Sequence, residues 1–136
     1  MAKTLAVTAY VNVGGPLFDG RAPEILARFE ADARQAIADK GVELLRAFPM
    51  DKTGRAHGGF QENLKTVTRG PAVAIPGPTI KGTTWAPWLE GTSKRNESTG
   101  FKGYRLFRTT RAQLDRQATE IAETRLPPYL RELGGA

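Results

Sequence analysis

With 136 residues the chain has room for one hydrophobic core, so a single domain, with or without extended arms, is expected. Apolar residues at 40% and charged residues at 25% exclude wholesale disorder, and the absence of cysteine excludes disulfides and thiolate-held zinc or iron–sulfur centres. Twenty Lys and Arg against 14 Asp and Glu leave a net charge of +6, which favours polyanionic neighbours, either nucleic acid or an acidic protein face.

Residues 4–13 alternate with a period of two. Leu5, Val7, Ala9, Val11 and Val13 share one face, and Thr4, Ala6, Thr8, Tyr10 and Asn12 share the other. This is a strand, either in the domain's own sheet or as an arm, within residues 1–22, lent to a neighbouring subunit. It lacks the continuous apolar region of a targeting segment, and no apolar run approaches the roughly 20 residues that span a bilayer. Gly14-Gly15-Pro16 ends it; without G-x-G-x-x-G or G-x-x-x-x-G-K-[ST], these glycines read as a turn and not as a phosphate loop.

A long amphipathic helix is expected over residues 23–48. Pro23 and Glu24 suit its first turn, and Ile25, Phe29, Ala33, Ile37, Leu44 and Phe48 form the apolar stripe, with Gly41 on it. Gly41 costs about 1 kcal/mol relative to Ala, so it marks a close approach of another backbone or a bend. Pro49 drives Phe48 out of the helical region and ends the element.

After the polar, Gly-rich residues 49–60, strands are expected within 61–89. Asn63–Arg69 and Ala72–Ile75 flank Gly70-Pro71 as an antiparallel pair, and Thr83–Leu89 is a further strand that Pro87 confines to an edge. Residues 90–103 have no periodicity and read as a mobile loop. A C-terminal helix is expected over 110–133, with Thr110 and Gln113 at capping-box spacing, Leu114, Ala118, Ile121 and Ala122 as its stripe, and a break at Pro127-Pro128. The order argues an α+β fold: an antiparallel sheet of about four strands packed by a long N-terminal helix and a C-terminal helix, with an extended arm and a long loop.

The catalytic inventory is thin. His57 is the single imidazole and sits in a Gly-rich loop, where Asp51, Glu62 and Glu90 are the carboxylates that would have to converge on it for hydrolysis. No such signature is present, so neither an enzyme nor a cofactor, metal or small-molecule substrate is expected. The basic run is more informative: Lys94, Arg95, Lys102, Arg105, Arg108 and Arg111 face only Glu97, which concentrates +5 of the net +6 in that interval. Phe101, Tyr104 and Phe107 are interleaved with it. The pattern fits either phosphate contact with base stacking, as in a small basic nucleic-acid-binding protein, or core aromatics beneath an arginine-rich interface. Trp85, Trp88 and Leu89 are the other concentration of apolar area.

In chain order, the long helix leads to Pro49-Met50-Asp51-Lys52-Thr53-Gly54-Arg55. Strands follow, then Trp85-Ala86-Pro87-Trp88-Leu89-Glu90-Gly91-Thr92-Ser93, and Gly103-Tyr104-Arg105-Leu106-Phe107-Arg108 runs into the last helix. Over residues 23–125 this resembles the tail-completion, or head–tail joining, proteins of long-tailed bacteriophages. In that family a Pro-Val-Asp-Thr-Gly-x-Leu segment follows the first helix, a Tyr-Ala-x-x-Val-Glu-x-Gly-Thr segment comes later, and Phe-x-x-x-Ala opens the last helix. Here Lys52 is inserted, and Glu90-Gly91-Thr92 lacks the intervening residue.

The resemblance implies a virion protein of the neck or upper tail, made in the host cytoplasm and assembled as a homo-oligomeric ring. A tail terminator or another connector ring is the nearest alternative. Its partners would be connector or stopper proteins and tail-terminator or tail-tube proteins, with no membrane. Leu5, Val7, Tyr10, Trp85, Trp88, Glu90, Thr92, Phe101 and Tyr104 are the expected subunit contacts. Lys94, Arg95, Lys102, Arg105, Arg108 and Arg111 would face DNA or an acidic partner.

Overall fold

In a computed structural model, residues 4–7, 20–50, 59–80 and 82–134 are described. The long helix α1 spans Ala22–Ala47, one residue ahead of the expected limits, with Pro in its first turn. Phe48 follows at φ −62°, ψ 127°, the extended conformation that Pro49 imposes. The buried stripe keeps a spacing of four: Ile25, Phe29, Ala33, Ile37, Gly41 and Leu45. Leu45, not Leu44, therefore lies in the core, while Leu44 and Phe48 pack on its margin.

The carbonyls left open at the end of α1 find partners in the next described segment. Gln61 Nε2 donates to Leu45 O at 2.8 Å and to Phe48 O at 2.9 Å, and Arg46 donates to Leu64 O at 2.9 Å. These bonds seat Phe60 and Leu64, both fully buried, under the helix end. Of the four residues considered for hydrolysis, His57 and Asp51 lie outside the described residues, and Glu90 is buried at the start of the last long helix. Glu62 accepts a bond from the Gly59 N–H at 3.0 Å and is otherwise exposed.

The sheet differs from expectation: two small antiparallel sheets replace one of about four strands. In the first, β1 (Thr4–Val7) and β2 (Val67–Arg69) flank β3 (Ala72–Pro76), so the N-terminal strand sits in the domain's own sheet and pairs Leu5 with Ile75 and Val7 with Val73. Val73, Ala74 and Ile75 are buried in succession, as the central strand requires. The second sheet pairs β4 (Thr79–Ile80) with β5 (Thr83–Thr84) only. The break comes at Trp85. Pro87 stands in the first turn of the helix α2 (Ala86–Glu90), where its missing N–H is harmless, and is not a residue of an edge strand.

Residues 90–103 contain the short helix α3 (Lys94–Ser98), and the C-terminal helix divides into α4 (Leu106–Arg125) and α5 (Pro127–Gly134) at the expected prolines. Helix α4 starts at Leu106, four residues before the expected cap. Thr110 is thus a fully buried residue of the helix, its hydroxyl without a hydrogen bond among the described residues. Helix α4 runs antiparallel on α1, with Leu114 against Gly41 and Arg125 against Asp32. A Cβ on Gly41 would lie 2.8 Å from Ile75 Cδ1 and 3.0 Å from Leu114 Cδ1. The close approach is thus by two side chains, one from the sheet and one from α4.

Helix α5 buries no residue fully, and Leu130 is 53% exposed. It is held on α1 by polar bonds and one ring contact. Tyr129 Oη donates to Asp32 at 2.7 Å, and Arg125, the last residue of α4, donates from Nε and Nη2 to the two oxygens of the same carboxylate at 2.9 and 3.2 Å. Arg28 pairs with Glu132, and the Phe29 and Tyr129 rings lie 5.5 Å apart. Partial burial opposes ionisation of Asp32, but the bonds from Arg125 and Tyr129 outweigh it and hold the carboxyl below its ordinary range. The bond to Asp32, then burial, raises the Tyr129 phenol.

Two outcomes are expected. Gly41→Val forces an overpacked contact against Ile75 and Leu114 and costs about 1–3 kcal/mol in chemical denaturation. Asp32 stabilises the docked α5 fully above its unfolded pKa of about 3.9 and loses that contribution as pH falls through the lower folded value. Tyr129 contributes fully below about 10 and loses its contribution as pH rises through its higher folded value. NMR resonances of residues 126–133 should shift toward undocked positions at both extremes while those of residues 106–114 hold, and Asp32→Asn should remove the acid step.

Candidate functional site

The residues from Trp85 to Arg111 form one unit built on a closed loop. Its base is a contact between two glycines: Gly91 at φ 99° and Gly103 at φ 86° meet backbone to backbone. A Cβ on Gly91 would overlap the Lys102 carbonyl oxygen, and one on Gly103 would overlap the backbone of Gly91. Left-handed dihedrals and the missing Cβ are both needed, so no other residue type fits either position without moving main chain. Beside this contact the Tyr104 N–H donates to Leu89 O at 2.6 Å. The excursion between them is an Ω-loop.

Asn96, 3% exposed, fills the loop. Its Nδ2 donates to Trp88 O and Phe101 O, both at 3.0 Å, joining the two sides, and its Oδ1 accepts from the Ser93 N–H at 3.0 Å and the Ser93 hydroxyl at 2.7 Å. Both donors and both acceptor lone pairs of the buried amide are engaged. The segment expected to be a loop without order of its own therefore has a polar interior.

The rings of the same unit contact one another. Trp88 and Phe101 lie 4.7 Å apart, Phe101 and Tyr104 lie 5.0 Å apart, and the Arg95 guanidinium sits 5.0 Å over the Trp88 ring. Trp85, Trp88, Phe101 and Tyr104 are all half-buried. Phe107 lies in the core, edge-on to Phe60 at 6.5 Å.

Glu90 connects the loop to α4. Its carboxylate, 3% exposed, accepts from the Phe107 N–H at 2.7 Å, the Arg108 N–H at 3.3 Å and Arg108 Nε at 3.0 Å. The cap residue Arg105 has left-handed dihedrals, φ 55° and ψ 33°, and provides no side-chain cap. Glu90 thus caps α4 from a distant position in the chain, satisfying open N–H groups and placing a negative charge at the positive end of the helix.

The expected contact residues are distributed as follows. Leu5 and Val7 belong to β1, and Tyr10 lies outside the described residues. Thr92 is exposed and turns back to Pro87 O through its N–H at 2.9 Å. Trp88, Phe101 and Tyr104 come together, whereas Glu90 is buried beneath them as a cap. All six basic residues are exposed, but Arg108 is committed to Glu90. Sequence reasoning missed Asn96, for which the Ser93-x-x-Asn96 spacing was the available signal, and it missed the paired roles of Gly91 and Gly103. Among the described residues no group of three metal-ligating side chains converges, and no helix is long and apolar enough to cross a membrane.

The glycine contact predicts a sharp contrast. Gly91→Ala should destabilise by about 3 kcal/mol or more, because strain and overlap fall on main chain, while Gly100→Ala, at a position with open space around it, should stay within about 0.5 kcal/mol in urea unfolding.

Compared with family models, curated proteins and solved structures, the chain matches none.

Proposed function

We propose that this chain is a non-enzymatic structural protein of a tailed-phage neck, repeated around a ring that completes the tail and joins it to the head. The observation that carries this reading is that two of the segments bearing the family resemblance converge on each other. Glu90 and Gly91 from one, and Gly103, Phe107 and Arg108 from the other, meet at the base of the Ω-loop.

The sheet adds a physical route to assembly. With the order β1-β3-β2, β1 and β2 each keep one edge without a partner among the described residues. Such edges accept a strand or loop from another copy, and a head-to-tail contact of that kind closes into a ring when its rotation permits. Leu130 on α5 is a further exposed apolar anchor.

Native mass spectrometry of the purified chain, together with immunodetection on purified particles, tests the reading. A single closed multiple of the monomer mass and a signal on the virion are expected. A monomer at tens of micromolar combined with absence from particles overturns it.

A further inference from the structure

We infer that the rim of the Ω-loop and the first turns of α4 form a binding surface for the sugar–phosphate backbone of duplex DNA, recognised without regard to base sequence. The surface comprises Lys94 and Arg95 on α3, Lys102 at the loop base, and Arg105 and Arg111 at the start of α4. All five are exposed. Arg108 and Arg111 are three residues apart on α4 and so are neighbours on its surface, and Arg105 stands at the cap just ahead of them.

Three observations select this ligand. The first is charge: the buried carboxylate of Glu90 is consumed by the cap and by Arg108, and α4 has no acidic residue of its own in the first turn. Only Glu97 offsets the five remaining cations from within the segment. The second is the disposition of the rings. Trp88, Phe101 and Tyr104 are half-buried and engaged with one another, and Arg95 covers Trp88, so stacking on unpaired bases would have to break contacts that hold the loop together. For the same reason the rim offers no free aromatic anchor of the kind that dominates protein interfaces; the exposed Leu130 lies on α5 instead. Phosphate contact needs neither.

The third is Arg105. It holds φ 55°, where glycine would be relaxed, and its side chain is exposed and caps nothing. A strained non-glycine residue whose exposed side chain caps no helix among the described residues is best explained by the guanidinium itself. This inference rests on charge and geometry alone and does not depend on the ring.

Fluorescence anisotropy with a random-sequence 30-base-pair duplex, titrated between 50 and 200 mM salt, tests it. With five phosphate contacts, log K should fall with log[salt] at a slope of about −4.5, an affinity loss of roughly 500-fold over that range. Arg105→Gly should weaken binding roughly tenfold at 50 mM salt and lower the slope by about 0.9, while the melting temperature stays level or rises as the strain is relieved. Lys102→Gln with Arg111→Gln should act in the same direction. Absence of duplex binding at 50 mM salt overturns the inference, as does unchanged affinity in the folded variants. So does tenfold tighter binding of single strands, which would assign the rings to base stacking, or of polyglutamate, which would assign the surface to an acidic protein.

Discussion

The first N–H groups of α4 need an acceptor, and the side chain at the cap cannot supply one, because the Arg105 guanidinium carries only donors. The Glu90 carboxylate fills that position from another element. A carboxylate so deeply buried is stable there only because the Phe107 and Arg108 amides and the Arg108 guanidinium all donate to it. The arrangement is therefore mutual: the helix start makes burial of the charge tolerable, and the charge fixes where the helix starts. Since α4 is the element that packs along α1, the position of the Ω-loop relative to the core follows from this one side chain.

The two helical attachments to α1 are of different kinds. Helix α4 is joined through apolar contact so close that Gly41 is the residue the site admits best, with Ile75 and Leu114 filling the space of a side chain. Helix α5 is joined through the Tyr129–Asp32 bond and the Arg28–Glu132 pair, beside Arg125 at the end of α4, all at the surface or half-buried. Exposed ion pairs contribute little, so most of what holds α5 comes from the shared Asp32 and the Phe29–Tyr129 contact. The protein thus combines a rigid helix–sheet core with a C-terminal helix that is docked more weakly.

Much of the core was legible in the sequence. The apolar period, Pro23 and Pro49 placed α1 to within a residue, and Gly70-Pro71 marked the turn between β2 and β3. Three features were not legible, each for a physical reason. Pro87 reads as a strand breaker, yet it is equally a helix opener, and only the packing of Ala86 and Leu89 in the core decides between the two. The start of α4 depends on an acceptor that is distant in sequence, so the local Thr110–Gln113 spacing pointed to the wrong residue. The interior of the Ω-loop consists of side-chain-to-backbone bonds around Asn96, which leave no periodic trace. Glu90 was expected at a subunit contact, but its carboxylate lies under the surface, bound to the start of α4.

The contact between Gly91 and Gly103 has a mechanical consequence. Because entry and exit of the loop touch, forces or length changes at its tip have no lever arm on α2 or α4. Residues 97–100 are exposed, and Gly100 has open space around it. Added residues there would raise only the entropy of closure, which grows by about 0.6 kcal/mol for each doubling of length. The tip is therefore a cassette that can vary in size and chemistry from one version of this fold to another while the frame carrying it keeps its shape.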